Sequence, residues 1–438
     1  MEFWAAVLLV PLTAVGLLVV QPPPEARGSE ARPQFDFESW VAKCFVYSHV
    51  NPRKMPMNVT QVCDWVNGFV NFEPLNVLPF TPTLTCEPRV SLLLDRFDWR
   101  LFPDPEHRRD YPNLTDMTCG SLDSIPWKFE RVRDDPQTVY ATPHALRKLW
   151  GHMRESADPN RTDRVLVLAG TEMPLSAAFG RTEAERNFTV KSLRRYFGRI
   201  VVQTKDIAME HVHVAPMGLS WGYNTLLVGT WSGWPMPYAA YLDWALNVFS
   251  RTKPSTKSHN VLAAWGKVAG WLERPRTLHR CRQYRKEHRL FPPSNSSLEA
   301  IEAASASRKA LRAWLDSPGA AAVGAVMQSL KPSDYWGELL KYKFLLAPMG
   351  SNIQTAKTIE ALLALAVPII QPMGFKLFSE LLAMGFPLVL VDSWNEVTVE
   401  NTTAWWKALS PRLESFRRNC LTVDGWWSMY IGRVSTCQ

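Results

Sequence analysis

No two cysteines in this 438-residue chain stand at zinc-ligand spacing. Cys44, Cys63, Cys86 and Cys119 lie 19, 23 and 33 residues apart, and Cys281, Cys420 and Cys437 follow much later. Zinc modules need closely spaced pairs, so the thiols are expected to form disulfides, with the pairing open and Cys281 as the candidate odd one. Metal is not expected elsewhere either. His211 and His213 are two apart beside Glu210, but no third ligand follows at a workable spacing. The chain has no recognised nucleic-acid module and no internal repeat. It is basic all the same, at +8 with a pI of about 9.1. Those charges are dispersed rather than gathered in tails, which fits small or surface-bound anionic partners and not nucleic acid. One exception, Arg274–Arg289, holds seven Lys or Arg against the single acid Glu287. It reads either as a solvated face or as contact with an anionic ligand. Large-scale disorder is excluded by 46% hydrophobic and 21% charged residues.

The length exceeds what one core sustains, so two domains are expected. Phe3–Val20 is an 18-residue uncharged apolar segment. It is long enough for a signal anchor or a cleaved signal peptide, though no basic region precedes it and no small-x-small site follows. Residues 21–36, rich in Pro, Gln, Arg and Glu, read as a stem. Residues 37–255 read as an N-terminal domain that opens with an irregular, cysteine-containing region, and 256–438 as a C-terminal domain. Sequons at Asn58, Asn113, Asn160, Asn187, Asn295 and Asn401 join the cysteines and the apolar segment in pointing to the secretory pathway.

Strand candidates are Arg164–Gly170, Arg199–Gln203, His211–Ala215, Phe344–Ala347 and the run from Val367. Helix candidates are Ala141–Glu155, Glu299–Leu315 and the span from about Gln354 to Ala366. Strands alternating with helices at these lengths predict parallel sheets. The polar stretch 251–260 reads as an interdomain linker.

The densest information lies in residues 341–370, KYKFLLAPMGSNIQTAKTIEALLALAVPII. An apolar strand runs through a Pro-Met-Gly-Ser-Asn loop into a helix and a second strand, a βαβ unit that binds ligands at the carboxyl end of its first strand. Amides of Ser351 to Gln354 would meet a phosphate at the helix start. Lys357 and Glu360, three residues apart, would share one ligand, the lysine toward phosphate and the glutamate toward a ribose. An ordinary core repeat with a surface Lys–Glu pair is the competing reading of the same pattern.

The residues Phe344-Leu345-Leu346-Ala347-Pro348, Gly350, Lys357, Glu360-Ala361-Leu362 and Val367-Pro368-Ile369-Ile370 resemble the C-terminal half of the exostosin-like glycosyltransferases. The resemblance continues in Phe386–Asp392, Trp394–Val397 and upstream in Val214–Leu219, spanning about residues 160–405. One departure is Lys357, where the family often has Arg; lysine keeps the charge without the bidentate fork. The resemblance implies an α/β protein with two Rossmann-like domains facing a cleft, the GT-B arrangement. It also implies inverting transfer of a sugar from a nucleoside diphosphate donor, a UDP-sugar by expectation, to a glycan or glycoprotein acceptor. No cofactor is implied. The expected setting is a single-pass type II Golgi membrane protein with a lumenal catalytic domain, or a secreted one.

On that reading Gly350 and Ser351 form the pyrophosphate turn, with Lys357, Glu360 and Arg308 completing the nucleotide site. Arg308 follows Ser307 in a Ser-Arg pair that the family also shows, and it reads otherwise as a solvated helix charge. Glu172, directly after a strand, and His213 are candidate bases, each with a structural alternative as a helix cap or a hydrogen-bonding group. Asp95 and Asp98, three apart, read as turn residues and not as the Asp-X-Asp of the other main glycosyltransferase fold. Among 19 tryptophans, Trp221, Trp231, Trp234 and Trp394 stand in turn-like positions suited to stacking on sugars, whereas Trp405, Trp406, Trp426 and Trp427 read as packing. Two other classes stay open. One is an inactive glycan-binding protein of the same fold. The other is a secreted glycan hydrolase, for which no carboxylate pair can be nominated.

Overall fold

Runs such as Arg164–Leu168, Tyr342–Leu346 and Val367–Ile370 are buried along nearly their whole length. A strand covered on both faces must lie in a sheet with helices on each side, which is the parallel arrangement. The computed structural model describes residues 80–81, 93, 96–103, 127–169, 174–180, 182–220, 252–264, 295–330, 332–350 and 353–437.

The first half is built on β2 (Trp99–Pro103), β3 (Trp127–Arg131), β4 (Thr138–Ala141), β5 (Arg164–Leu168), β6 (Phe197–Val202) and β7 (Val212–Val214). Their spatial order is β3-β2-β4-β5-β6-β7, parallel throughout except for β3 at the edge. Helices α1 (Leu146–Ser156), α2 (Leu175–Phe179) and α3 (Glu183–Leu193) connect the strands. A small parallel pair, β1 (Phe80–Thr81) with β8 (Leu219–Ser220), stands apart.

The second half has β9 (His259–Ala264), β10 (Ala325–Gln328), β11 (Tyr342–Leu346), β12 (Val367–Ile370) and β13 (Val389–Leu390), in the order β10-β9-β11-β12-β13 and all parallel. Counted within the half this is 2-1-3-4-5, a doubly wound sheet whose switch point falls between β9 and β11. The helices here are α4 (Asn295–Leu315), α5 (Pro318–Ala322), α6 (Pro332–Leu339), α7 (Lys357–Leu363), α8 (Leu377–Ala383), α9 (Val399–Cys420) and α10 (Val423–Tyr430). The described part of the protein is thus mixed α/β with two Rossmann-like sheets.

Helix α10 is wedged between the halves. Trp426 packs on Phe386 of the second half, while Trp427 meets Phe97 of the first at 5.0 Å between ring centroids. Arg96 pairs with Asp424 in its first turn, and Arg199 of β6 donates to the carbonyls of Tyr430 (2.8 Å) and Met429 (3.1 Å) in its last. Each contact matches the helix dipole, negative charge at the start and positive at the end. A disulfide joins Cys420 to Cys437, and the tail after α10 closes onto the end of α8 through Cys437 N–H to Met384 O (2.8 Å). Gly385 lies beneath that tail at φ +92°, where a side chain would be both strained and in collision with the Cys437 carbonyl.

Three sequence expectations change. The helix expected from Gln354 begins at Lys357 and ends at Leu363. The stretch 251–260 contains a 3-10 turn (Pro254–Thr256), the buried side chains Thr252 and Lys257, and the first residues of β9. Trp394 is no platform: it is 2% exposed, and its indole N–H donates to Ser307 O. The apolar segment 3–20, the stem, and Cys44, Cys63, Cys86, Cys119 and Cys281 lie outside the described residues. Among those described, no helix is long and apolar enough to cross a membrane.

Candidate functional site

The carboxyl ends of the two sheets face each other. Gln203 and Ala215 follow β6 and β7 directly, and both accept hydrogen bonds from the side chain of Gln354, which lies in the loop after β11. Lys205, two residues further along the β6 loop, reaches Glu380 of α8 at 2.6 Å and also donates to Val212 O at 2.7 Å. Pro216-Met217-Gly218, after β7, meets the loop 349–356 through Met217 N–H to Gln354 Oε1 at 2.8 Å. Ligands of doubly wound sheets bind outside strand carboxyl ends at the switch point, and here that place lies against the opposing half.

A charged cluster occupies it. Glu360 is buried inside α7, and burial raises its pKa against the opposing pull of Lys357 and of the Tyr335 hydroxyl. Lys357, at the first position of the same helix, holds its ammonium 4.1 Å from the centre of the Tyr335 ring. Burial lowers its pKa, Glu360 raises it, and Arg308 lowers it again. Arg308, 5% exposed on α4, is not a solvated charge: its Nε donates to Met349 O at 2.9 Å and so holds the start of the loop. Gly350 is half-buried just beyond that anchor. Tyr335 and Gln354 were not singled out from sequence. Tyr335 lies on α6 ahead of β11, where nothing in the local pattern separates it from a core aromatic. Gln354 is one polar residue of a glycine-containing loop, and its partners in the other half leave no local mark on it.

The phosphate-binding helix start is revised. Ser351 and Asn352 lie outside the described residues. The first amide of α7, Lys357 N–H, is taken by Thr355 Oγ1 at 3.2 Å. At seven residues the helix is also too short for its dipole to make an anion site. Positive charge at this point therefore comes from side chains, Lys357 and Arg308.

No family model and no curated protein matches the chain. Among solved structures, an α,α-trehalose-phosphate synthase (UDP-forming) from Burkholderia vietnamiensis aligns at 13% identity over 68% of this chain and 70% of its own, with a TM-score of 0.30. The N-terminal domain of trehalose-6-phosphate phosphatase from Candida albicans aligns at 12% identity over 69% and 70%, also at 0.30. Likeness at that level says nothing of chemistry.

The remaining candidates are dispersed. Glu172, Trp221, Trp231 and Trp234 lie outside the described residues. His213 projects from the edge strand β7, exposed to solvent. Partial desolvation, followed by the nearby charges of Arg199, Lys205, His211 and Arg194, pulls its pKa down to about 4. The ring is therefore neutral at physiological pH, free to accept a proton but weakly basic. Between about 4 and the ordinary histidine value of 6.5 the unfolded chain binds a proton that the folded chain does not. The stabilising contribution is complete above 6.5 and is lost as pH falls through about 4. An imidazole titration followed by NMR should place the His213 midpoint near pH 4; a midpoint at the ordinary histidine value would show that neither burial nor the surrounding cations act on it.

A buried carboxylate also stands in the loop after β6. Asp206 is buried, its pKa raised by burial, and it accepts from both the amide (3.0 Å) and the hydroxyl of Ser176. That is a cap on the start of α2, and it occupies both carboxylate oxygens. An open cavity of about 410 Å³ between α3 and the turn before β7 includes Lys191, Arg194 and His211 in its wall and shares no lining residue with the Lys357–Glu360 cluster.

Proposed function

We propose that this protein is a glycosyltransferase that moves a sugar from a nucleoside diphosphate donor to a glycan or glycoprotein acceptor. The observation that carries the reading is the Lys357–Glu360–Arg308–Tyr335 cluster, sunk at the carboxyl end of the switch-point strand and set across from the loops of the other half. Charges at such a position are costly for folding, which favours a role in binding. In the proposed arrangement Gly350 and Ser351 lie along the pyrophosphate. Lys357, with Arg308 behind it, offsets the negative charge, and Glu360 takes the ribose hydroxyls.

The reaction needs no covalent step by the protein. The acceptor hydroxyl attacks the anomeric carbon as its proton passes to a base, and the nucleoside diphosphate departs with the bonding electrons. Catalysis comes largely from positive charge held ready for that departing group. Glu172 and His213 are the bases we propose to test, with Trp221, Trp231 and Trp234 as acceptor platforms. Inversion, a UDP-sugar donor and membership of the exostosin-like family are parts of this proposal carried by the sequence resemblance. So is a type II Golgi or secreted location, with which the Cys420–Cys437 disulfide agrees because such bonds persist in oxidising compartments.

The test is calorimetric titration of the protein with UDP, GDP and ADP, followed by a sugar-donor hydrolysis screen. Saturable binding of one diphosphate, with loss of affinity for the matching monophosphate, is the expected result. Indifference to all three would refute the transferase reading.

A further inference from the structure

We propose that Gln354 is a positioning residue that registers the loop after β11 on the strand ends of the opposite half, so that a ligand on one half is sensed by the other. The proposal rests on the nucleotide-sugar reading and deepens it by stating how the halves are coupled. Gln354 is 5% exposed, and all three hydrogen bonds of its carboxamide cross the cleft. Oε1 accepts Met217 N–H at 2.8 Å, while Nε2 donates to Ala215 O at 2.8 Å and to Gln203 O. Every partner is backbone, so the side chain senses where β6 and β7 end and not which residues they carry.

The loop is tethered at its two ends to different bodies. Arg308, in its own half, holds Met349 O, whereas Gln354 is held by the first half. Gly350 lies between these anchors, so a diphosphate drawn against it pulls on both together. The Lys205–Glu380 pair supplies a second tie beside the first. Only a carboxamide can meet this requirement, because one end must accept and the other must donate twice. A carboxylate would set an oxygen against two carbonyls, and alanine would leave one N–H and two carbonyls unmet.

The experiment uses the full chain as wild type, Gln354→Ala and Gln354→Glu, with UDP affinity measured by calorimetry and backbone hydrogen exchange measured with and without UDP. In the wild type, UDP should slow exchange at residues 203–206 and 215–218, across the cleft from the loop. Gln354→Ala should bind UDP about tenfold more weakly and lose that protection, the loss expected for unmet buried polar groups. Gln354→Glu should be worse at neutral pH and regain protection as its carboxyl protonates at acid pH, a profile that a mere packing role would not produce. Protection by UDP in Gln354→Ala equal to the wild type would overturn the proposal. Should the wild type ignore UDP, the nucleotide reading fails by itself, and the tie is judged on the unliganded protein. There the Met217 amide must exchange faster in Gln354→Ala, and unchanged exchange sinks the tie as well.

Discussion

Replacing Glu360 by glutamine should weaken nucleoside diphosphate binding by one to two orders of magnitude while leaving the protein folded. Glutamine preserves the shape of the side chain but not its charge, so the proposed ribose contact and the negative charge near Lys357 are both weakened. Alanine at the same position should do more. It removes the nearby carboxylate that favours the charged form of Lys357 and opens a cavity at a buried position, so stability should fall as well. The informative comparison is therefore the double variant Glu360→Gln, Lys357→Met. Exchanging interacting buried charges for neutral groups of similar volume is often neutral or stabilising, and Lys357 and Glu360 do influence each other's charge, so the melting temperature of this variant should return to that of the wild type. Nucleotide binding should not return with it. A double variant that regains both would show that the pair serves only the fold, and one that regains neither would show that the site cannot be separated from the core.

A second large effect is expected from Lys257, through pH. Its side chain is 7% exposed, and its ammonium donates to Ala364 O at 2.5 Å, just past the end of α7. Arg417 donates to Leu363 O next to it at 3.0 Å. Burial first, and the charge of Arg417 second, lower the lysine pKa to about 7. The unfolded chain keeps its proton up to about pH 10.4, so between these values it binds a proton that the folded chain has shed. Stability should then rise with pH across that window, by up to roughly 4 kcal/mol in total. Denaturant midpoints of the wild type and Lys257→Met, taken from pH 7 to 10, should converge or cross as the wild type gains. Parallel profiles would remove Lys257 as the cause. Because Lys257 and Arg417 hold one end of α7 and Lys357 stands at the other, loosening this end should also disturb the Lys357–Glu360 cluster.

The strands of both sheets were legible because runs such as VLVL and FLLA are apolar at every position, a pattern that buried parallel strands produce and surface elements do not. The charged residues of α7 were legible as well, since Lys357 and Glu360 interrupt an apolar helix at one-turn spacing. The start of that helix was misplaced by three residues for a nonlocal reason. Gln354 and Thr355 look like residues of a first turn, but the opposite half takes the Gln354 side chain, and Thr355 caps Lys357 from outside the helix. Trp394 misled in a similar way. Ser393-Trp394-Asn395 is a turn by composition and by conformation, yet its indole is drawn inward to Ser307 on α4. Strand order is set by which edge the chain returns to after β10, and no local residue pattern encodes that. Contacts between the halves depend on it in turn, which is why Gln354 and Lys205 carried no visible sign of their partners.

The wedge formed by α10 limits how the cleft can move. The chain leaves the first half after β8, builds the second sheet, and then sends its last helix back against β6 and Phe97. Any opening of the cleft must therefore either carry α10 with the first half, bending the chain at Leu421, or break its contacts with Phe97 and Arg199. Because the Cys420–Cys437 disulfide clasps the two sides of α10 together, reducing it should loosen that helix and, through it, the spacing of the two halves.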